Sequence, residues 1–450
     1  MGGTWQVAWH PASVTGQGEV GKRGWRASLA PMRHRNYALV WWAGFVSNIG
    51  TWMETVAVGD LVARNTGKAG WTALVAAAGF LPMGLLGPVG GALADRLDRR
   101  RMLIAMTLAQ TAFAATLTAL SFTHHTSPGA VALVVFGAGC VAGIGFPAYS
   151  AMLPDLVPPE DLLAGMSLSQ AQWNLGRVIG PALAGVAIGL GSYTAAFAIN
   201  TASFGVMLLA LQALRLPPHT PPADTDGLFT RMKVGAKAAW AEPGVRSSII
   251  LISAVALTAS PFIALIPAMA RVRFDGDPHL TARFVTAQGI GAVTGALLLP
   301  ALADRFGRYR MLLVSLVALP AALVLYGASP NATAATLALV AVGGAYMFTF
   351  SSIGTTVQMR APGALRARVL SFYFLALGTL YPIGATIQGP IADKVGLGQV
   401  TAASGIALLA VVGAIRLVRP ERLRAMGDPP PAEAAEGSPA AAAEGAPSAG

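Results

Sequence analysis

Three ionisable residues stand inside long apolar segments of this sequence. Glu54 and Asp60 lie in the apolar run at 38–63, and Arg177 lies in the run at 163–190. Charged side chains in apolar surroundings are costly, and they usually pair with one another or take part in proton transfer. A carboxyl group in a partly dry cavity can bind and release protons in the physiological range. These three residues are therefore candidates for coupling a process to proton movement.

The spacing of Glu54 and Arg177 allows the two side chains to meet. Glu54 lies about 24 Å along a helix that starts at Ala38, and Arg177 lies about 21 Å along a helix that starts at Leu163. If both helices start on the same side of a membrane and are neighbours, the residues can pair. A pair that a substrate disrupts would couple transport to protonation of Glu54. A permanent pair would only fasten two helices together, and both alternatives stay open.

Asp60 differs from Glu54 in its expected surroundings. It lies about 9 Å further along the same helix, near the membrane interface. It also stands four residues before Arg64, a spacing that permits a local helical ion pair. The six-residue separation places Asp60 and Glu54 on different faces of the helix. We therefore expect an interfacial Asp60–Arg64 pair and regard Glu54 as the better proton carrier.

Few residues in the sequence are arranged for enzyme chemistry. The six histidines are scattered without metal-site spacing, and the single cysteine, Cys140, cannot form an intrachain disulfide. Gly289, Gly291 and Gly295 resemble a dinucleotide loop, but they lie inside an apolar run with no preceding strand. A phosphate-binding loop is missing as well. We predict no enzyme activity, no catalytic residue, no metal and no cofactor.

A short charged segment occurs twice between apolar runs. Residues 93–103 and 302–312 are 209 positions apart and are identical at eight of eleven aligned positions. Internal repetition of this kind is a common construction of membrane transporters. The repeat predicts that the two halves of the chain share one architecture.

The composition supports a chain that lies within a lipid bilayer. Of its 450 residues, 54% are hydrophobic and only 11% are charged, whereas a soluble protein carries about 25% charged residues. The net charge of +11 comes from basic residues in short turns between apolar runs. This distribution is typical of membrane topology signals and not of a nucleic-acid-binding surface, so we predict no nucleic acid partner.

Twelve apolar segments are long enough to cross a bilayer as helices of about 20 residues. In the first half they are 38–63, 71–94, 102–122, 129–153, 163–190 and 193–215, and in the second half 246–270, 281–303, 310–328, 332–358, 367–390 and 397–418. We therefore expect an all-α membrane protein with twelve transmembrane helices in two six-helix bundles, at 37–215 and 246–418.

Three segments lie outside the predicted bundles. Residues 1–36 form a polar, basic N-terminal segment, and the Pro-rich linker at 216–245 contains one amphipathic turn near 229–240. The tail at 419–450 is dominated by Ala, Pro, Gly, Ser and Glu after its first residues, a composition that predicts disorder.

Basic residues are distributed unequally between the two sets of turns. Segments predicted on one side contain 24 of the 31 Lys and Arg residues, and the opposite turns contain 6. Because positively charged short loops stay in the cytoplasm, both termini and both copies of the repeated segment are predicted to be cytoplasmic. We expect a multi-pass protein of the cell (inner) membrane, and a monomer.

The repeated segment resembles the signature turn of the major facilitator superfamily, which reads G-x-L-A-D-R-x-G-R-K/R-x-x-L. The sequence departs from this pattern at Asp98 in the first copy and at Pro300 in the second, where the superfamily has Gly. Further matches are Arg35-Asn36-Tyr37, Gly50-Thr51-Trp52-Met53 and the Gly176–Gly185 segment. Over residues 33–420 the chain is similar to the bacterial branch of transmembrane secretion effectors, which export drugs and siderophores.

This resemblance implies that the repeated turns latch the outward-facing state. The residues concerned are Gly91, Asp95, Arg96 and Arg99 in the first copy, and Asp304, Arg305, Gly307 and Arg308 in the second. Carboxylate and guanidinium groups can form hydrogen-bonded pairs that a small rotation makes and breaks. The alternative is that the Arg residues only fix the topology by the positive-inside rule.

The Gly-Pro segment of the fifth predicted helix resembles the antiporter motif of the same branch. Gly176, Gly180 and Gly185 allow a neighbouring backbone to approach closely, and Pro181 removes one helical hydrogen bond. The segment is therefore expected to form a stiff hinge face. Ordinary small-residue packing between helices is the alternative.

Polar and aromatic residues within the apolar runs are candidates for lining a substrate cavity. They are Asn48, Gln172, Gln288, Gln358 and Tyr373. Amides and aromatics with few charges suit an amphiphilic small molecule. We predict a secondary active transporter, a proton-coupled exporter that works by alternating access. Import or facilitated diffusion of a metabolite is one alternative, and a membrane scaffold or sensor without transport is another.

Overall fold

The computed structural model describes residues 29–123, 125–190, 192–214, 228–276, 278–361 and 366–427. Most of the predicted N-terminal segment, the Pro-rich part of the linker and the tail from residue 428 lie outside this range. Inside it, the side chains of Asp95, Leu163, Asn174, Pro300 and residues 228–232 and 366–368 are also not described.

The long helices follow the apolar runs closely. In the first half they are α1 (Arg35–Thr66), α2 (Ala69–Arg96), α3 (Arg99–Phe122), α4 (Pro128–Met152), α5 (Leu162–Gly189) and α6 (Tyr193–Ala213). In the second half they are α7 (Pro243–Arg273), α8 (Pro278–Phe306), α9 (Arg308–Gly327), α10 (Ala332–Arg360), α11 (Arg366–Val395) and α12 (Leu397–Val418). The largest difference from the predicted bounds is at α11, which ends at Val395 and not at 390. Apolar length therefore locates these helices well.

Among the described residues, ten of these helices contain a stretch that is long and apolar enough to cross a membrane. The two others are α1, which carries Glu54 and Asp60, and α5, which carries Arg177. Polar side chains are found within transmembrane helices mainly where they face protein or a water-filled cavity. The described part of the chain is thus an all-helical, multi-pass structure, and the three ionisable residues singled out in the sequence lie on α1 and α5.

Helix α7 contains two π-helical turns, Val255–Ala259 and Met269–Arg273. Pro261 has no N–H group, so it cannot donate to the carbonyl of Leu257 in the preceding turn. The side chain of Gln388 on α11 supplies the missing donor, because its Nε2 lies 3.2 Å from the Leu257 oxygen and 2.8 Å from the Thr258 oxygen. Its Oε1 accepts from Ser404 of α12 at 2.9 Å. One glutamine thus joins three helices around the irregular turn.

Buried apolar side chains form separate cores in the two halves. One cluster occupies the second half, and Ala69 and Ala73 at the start of α2 pack into it. Two further clusters occupy the first half. The main seam between the halves runs along α2 and α11, where glycines allow close contact. A β-carbon placed on Gly84 would lie 2.8 Å from the carbonyl oxygen of Gly378.

Contacts between the halves lie towards one end of the molecule. We call the end with the turns at 97–98 and 307 the motif end, and the end with the turns at 67–68 and 396 the far end. At the far end, Asp393 accepts hydrogen bonds from the backbone N–H groups of Ala69 (2.6 Å) and Gly70 (2.9 Å). Towards the motif end, a β-carbon on Gly87 would meet nothing within 4 Å. The described hydrogen bonds between the halves thus lie at the far end and near the centre, while Gly87 faces open space towards the motif end.

Two short helices flank the second half. Leu228–Ala241 forms a 14-residue helix at the predicted amphipathic turn of the linker, longer than expected. Pro420–Arg424 is helical, and Leu423 within it is buried. The prediction that disorder begins at 419 is therefore wrong for residues 419–427. The apolar side chains of Leu423 and Met426 pack into the core of the second half, and this packing orders the segment.

We predict that Gln388→Leu lowers the stability of the protein by about 1–3 kcal/mol, because two carbonyl oxygens in the π-helical turn lose their donor. Gln358→Leu is the matched control, since Gln358 is an exposed glutamine on α10. Thermal unfolding of both purified variants in the same detergent measures the difference. Equal melting temperatures for the two variants would contradict the assigned role of Gln388.

Candidate functional site

The carboxylate of Asp60 is fully buried and lies where three helices from both halves meet. Arg271 of α7 donates from Nε and Nη2 at 2.7 and 2.6 Å, and Thr281 of α8 donates its hydroxyl at 2.6 Å. Tyr193 of α6 donates its hydroxyl at 2.6 Å. The exposed fraction of the Asp60 side chain is 0%. Four donors satisfy this carboxylate, and three of these hydrogen bonds come from the second half.

The predicted interfacial pair of Asp60 and Arg64 is wrong. Arg64 is an exposed residue, and the partner of Asp60 is Arg271, which is 211 positions away in the sequence. Local helical spacing suggested the nearer arginine. The packing of α7 and α8 over this part of α1 buries Asp60 instead and brings a distant guanidinium group to it.

Glu54 lies on α1 and faces α6. Its Oε2 accepts a hydrogen bond from the Asn200 amide at 2.6 Å. Asn200 is itself buried, and the hydroxyl of Ser203 donates to its backbone oxygen at 2.7 Å. The small residue Gly50 lets α6 approach α1 here, because a β-carbon at that position would contact Asn200 and Ser203. Glu54 is thus a partly buried carboxyl group with an amide donor and no described counter-charge.

Arg177 lies on α5 and faces the second half. Its Nη2 donates to Oε1 of Gln288 on α8 at 2.9 Å. Its guanidinium carbon lies 5.5 Å from the centre of the Trp52 ring. Among the described residues, the ion pairs do not include Glu54 with Arg177. The predicted pair is therefore wrong for this conformation, because α1 turns Glu54 towards α6 while Arg177 points across the seam.

The five predicted cavity residues have different surroundings. Asn48 donates to the backbone oxygens of Gln172 and Trp173, both at 3.1 Å, and so joins α1 to α5. The Gln172 side chain is buried in the same contact region. Asn48 therefore stabilises packing within the first half, and its Oδ1 is buried without a hydrogen-bond partner among the described residues.

The other three candidates lie in the second half. Gln288 faces the seam and holds Arg177, whereas Gln358 is exposed near the motif end of α10. Tyr373 is only 1% exposed and donates its hydroxyl to the Phe350 oxygen at 2.9 Å. In this conformation the Tyr373 side chain is enclosed between α10 and α11, and its place in a substrate cavity stays a prediction.

The Gly-Pro segment of α5 packs against α1 on one side and against α8 on the other. Gly176 contacts Asn48 of α1, and a β-carbon on Gly180 would lie 2.8 Å from the Ile49 backbone oxygen. Gly185 contacts Ala282 of α8, across the seam. Pro181, between these contacts, is buried. The geometry shows close helix packing, while a hinge function remains a hypothesis.

The first repeated turn makes its described contacts within one half. Arg99 forms an ion pair with Asp155 at 2.8 Å and donates to the Ala151 oxygen at 2.9 Å. Arg96 is exposed, and Gly91 approaches only Pro147 of α4. These side chains lie at the motif end, where the halves are apart, so they do not bridge the halves in this conformation.

The second repeated turn explains the departure at Asp98. Gly307 has φ +89°, a left-handed conformation that favours glycine, and it precedes α9. Asp98 at the equivalent position has φ −60° and caps α3 by accepting from the Arg101 N–H at 2.8 Å. The first copy therefore uses a side-chain cap where the second uses glycine. Three other residues of the second turn, Asp304, Arg305 and Arg308, are exposed.

Comparison with known proteins identifies relatives over almost the whole chain. The sequence profile of a family described as transmembrane secretion effector matches residues 26–434. The chain is 24% identical over 376 residues to macrolide efflux protein A of Streptococcus pyogenes. This alignment covers 82% of this chain and 93% of that protein. It is 26% identical to the multidrug efflux pump Tap of Mycolicibacterium fortuitum, covering 86% and 96% of the two chains. It is also 26% identical to the enterobactin exporter EntS of Escherichia coli O6:K15:H31, covering 93% and 100%.

Solved structures share the fold at low sequence identity. The nucleoside transporter NupG superimposes with a TM-score of 0.68 and 14% identity, over 87% of this chain and 99% of that one. A D-xylose-proton symporter superimposes with a TM-score of 0.67 and 15% identity, over 86% and 98%. These structures support the helical architecture alone.

We predict that Arg271→Met destabilises the protein by about 3–5 kcal/mol, because Asp60 becomes a buried charge without a counter-charge and keeps only the hydrogen bonds from Tyr193 and Thr281. The double variant Asp60→Asn with Arg271→Met should recover most of this loss, since the buried charge is gone. Arg64→Met is the control and should change little. Thermal unfolding in detergent measures the stability of all three variants. A large loss of stability for Arg64→Met would support the Asp60–Arg64 pair instead.

Proposed function

We propose that this chain, which belongs to the transmembrane secretion effector family of the major facilitator superfamily, exports an amphiphilic small molecule by proton-coupled alternating access. The protein is a membrane transporter and not an enzyme, as its family and efflux relatives are. The proposal includes twelve spans in two six-helix bundles, cytoplasmic termini in the inner membrane and a monomer. Its ligands are the small-molecule substrate and protons, with no nucleic acid partner.

The unequal distribution of contacts along the seam between the halves supports this proposal. The Asp60–Arg271 pair and the Asp393 cap on α2 join the halves at the far end. Arg177 and Gln288 meet across the seam nearer the centre. Rocking of two repeats about a central site exposes that site to each side in turn. We interpret the structure as the state open at the motif end, which topology assigns to the cytoplasm.

Opening at the far end then requires specific contacts to break. Three hydrogen bonds from Arg271 and Thr281 to Asp60, and two to Asp393, would be lost when the halves separate there. Contacts at the motif end have to replace them, and the repeated turns with Asp95, Arg96 and Arg99 lie at that end. Asp304, Arg305 and Arg308 lie in the equivalent turn. This exchange supports a latch function for the repeat in the outward-facing state.

Glu54 is the residue we assign to proton coupling. Its carboxyl group is partly buried, and its described partner is the neutral Asn200 amide and not a cation. Asp60, by contrast, accepts two hydrogen bonds from the Arg271 guanidinium group and two from the hydroxyl groups of Tyr193 and Thr281, and the contacts with Arg271 and Thr281 close the far end. Glu54 can therefore exchange a proton without breaking the contacts that close the far end.

We predict that Glu54→Gln abolishes proton-driven export while leaving the protein folded. The variant retains an oxygen for the Asn200 hydrogen bond but has no titratable group. Efflux of a fluorescent amphiphilic dye from proteoliposomes with an imposed pH gradient measures the effect. Glu160→Gln, an exposed carboxyl group outside the long helices, is the control. Full pH-driven efflux by Glu54→Gln would contradict the assignment, and transport that a protonophore leaves unchanged would contradict proton coupling.

We predict that cysteines at the two repeated turns are labelled only from the cytoplasmic side. Cys140→Ser removes the single native cysteine, so Arg96→Cys and Arg305→Cys can be probed one at a time. A membrane-impermeant maleimide should react with both in inside-out vesicles and with neither in right-side-out vesicles. Lys68→Cys at the far end should show the opposite pattern. Labelling of the two turns from opposite sides would contradict the proposed topology.

A further inference from the structure

Arg177 has no described carboxylate partner at a depth where an isolated charge is costly. The residue lies in the middle of α5, about 22 Å from the start of the helix. Its described contacts are Oε1 of Gln288 and the face of the Trp52 ring, and both partners are neutral. The buried carboxylates nearby have other partners, because Asp60 binds Arg271 and Glu54 binds Asn200. An uncompensated cation inside a membrane protein usually marks a site for a ligand or ion.

The neighbours of Arg177 add further hydrogen-bond donors. Gln288 is 1% exposed, and its Nε2 has no partner among the described residues. The indole Nε1 of Trp52 is also buried without a described partner. Because Oε1 of Gln288 already accepts from Arg177, its Nε2 is oriented away from that bond and remains a free donor. The cluster therefore contains a guanidinium group and two N–H donors without described partners. A negatively charged acceptor would balance the charge and accept these hydrogen bonds.

Aromatic side chains surround this donor cluster. Trp173 packs edge-on against Trp52, with ring centres 6.1 Å apart. Tyr346 of α10 and Tyr381 of α11 are neighbours of Arg177 from the second half. Tyr381 in turn contacts Phe80 of α2, with ring centres 5.5 Å apart. These rings, supplied by both halves, provide apolar surface next to the donors.

The position of the cluster is defined by rigid backbone contacts. Gly289, next to Gln288, allows α8 to approach α5 so that a β-carbon there would lie 3.6 Å from the Arg177 backbone oxygen. Gly180 holds α5 against α1 and Trp52 in the same way. The donors therefore lie on three closely packed helices at the seam, where movement of the halves would change their separation.

From these contacts we infer that Arg177, Gln288 and Trp52 form the recognition site for an organic anion, an amphiphile with a carboxylate or similar acidic group and an aromatic body. Arg177 and the two N–H donors bind the acidic group, and the aromatic side chains contact the body. A cationic amphiphile is excluded from this site by Arg177, since Glu54 faces α6 and offers no counter-charge here. This inference rests on the proposed transport function and specifies its substrate class.

Direct binding to the full-length protein in nanodiscs tests the inference. The probe is tritiated 2-naphthoate, measured by equilibrium dialysis in chloride-free buffer, with empty nanodiscs as background. We expect saturable binding to the unaltered protein. Arg177→Gln should weaken binding about tenfold or more, because a charge-assisted contact is lost. Arg177→Lys should retain part of the affinity, and Arg283→Gln, at an exposed arginine of α8, should retain all of it.

Two competitors identify the chemistry of the ligand. The amine 2-naphthylmethylammonium has the same rings with the opposite charge and should not displace naphthoate. Chloride tests whether a free inorganic anion occupies the site, and it should compete only weakly. Equal displacement by the amine, full displacement by chloride at low concentration, or no saturable naphthoate binding would each overturn the inference.

Stability without ligand separates recognition from structure. If Arg177 is an unpaired charge reserved for a ligand, Arg177→Gln should melt at the same or a higher temperature than the unaltered protein. A lower melting temperature or failure to fold would assign Arg177 a structural role and overturn the inference. Binding requires no gradient, so naphthoate binding without any transport would count against the proposed function alone. Transport of amines without naphthoate binding would count against the anion site alone.

Discussion

The hydrogen bonds to Asp60 join the two halves of the molecule at the far end. A carboxylate buried to this extent is tolerated only when donors satisfy its oxygens and a cation balances its charge. Arg271 and Thr281 come from the second half of the chain, and Tyr193 comes from the first. Separation of the halves at the far end would therefore remove the counter-charge of Asp60 and three of its hydrogen bonds. Closure of this end follows directly from the requirement to satisfy one buried charge.

Arg177 is a charged residue that has no described counter-charge. Its charge lies in the middle of α5, yet its described partners are an amide oxygen and an aromatic ring. A transporter needs this difference between its charges. A fully satisfied pair can close a gate, whereas a cation with unsatisfied donors beside it can bind a ligand that later leaves. The two sites lie on the same seam, so movement of the halves would affect both.

Small residues make these polar contacts possible. Gly180 brings α5 against α1, Gly289 brings α8 against α5, and Gly84 with Gly378 brings α2 against α11. In a membrane, helices associate through close packing and interhelical hydrogen bonds more than through the hydrophobic effect. Glycines therefore locate the contacts between helices, and amides such as Asn48 and Gln388 hold the helices there. The charged residues then act from fixed positions.

The sequence alone predicts the helices of this protein closely, because a run of about 20 apolar residues has few alternatives to a membrane helix. The repeated turn and the resemblance it carries also predict the family. Charge and hydropathy identify Glu54, Asp60 and Arg177 as the ionisable residues that need an explanation. All of these features depend on local composition or on short motifs.

The partners of those residues depend on the tertiary structure. Local spacing favoured Arg64 for Asp60 and helix depth favoured Arg177 for Glu54, but the observed partners are Arg271 and Asn200. Spacing along one helix describes only the neighbours on that helix, and depth leaves the rotation of each helix undefined. Only the packing of α7 and α8 against α1, and of α6 against its other side, decides which side chains meet. The Asp60–Arg271 pair at the far end, and an Arg177 without a described carboxylate partner, are therefore properties of the assembled helices.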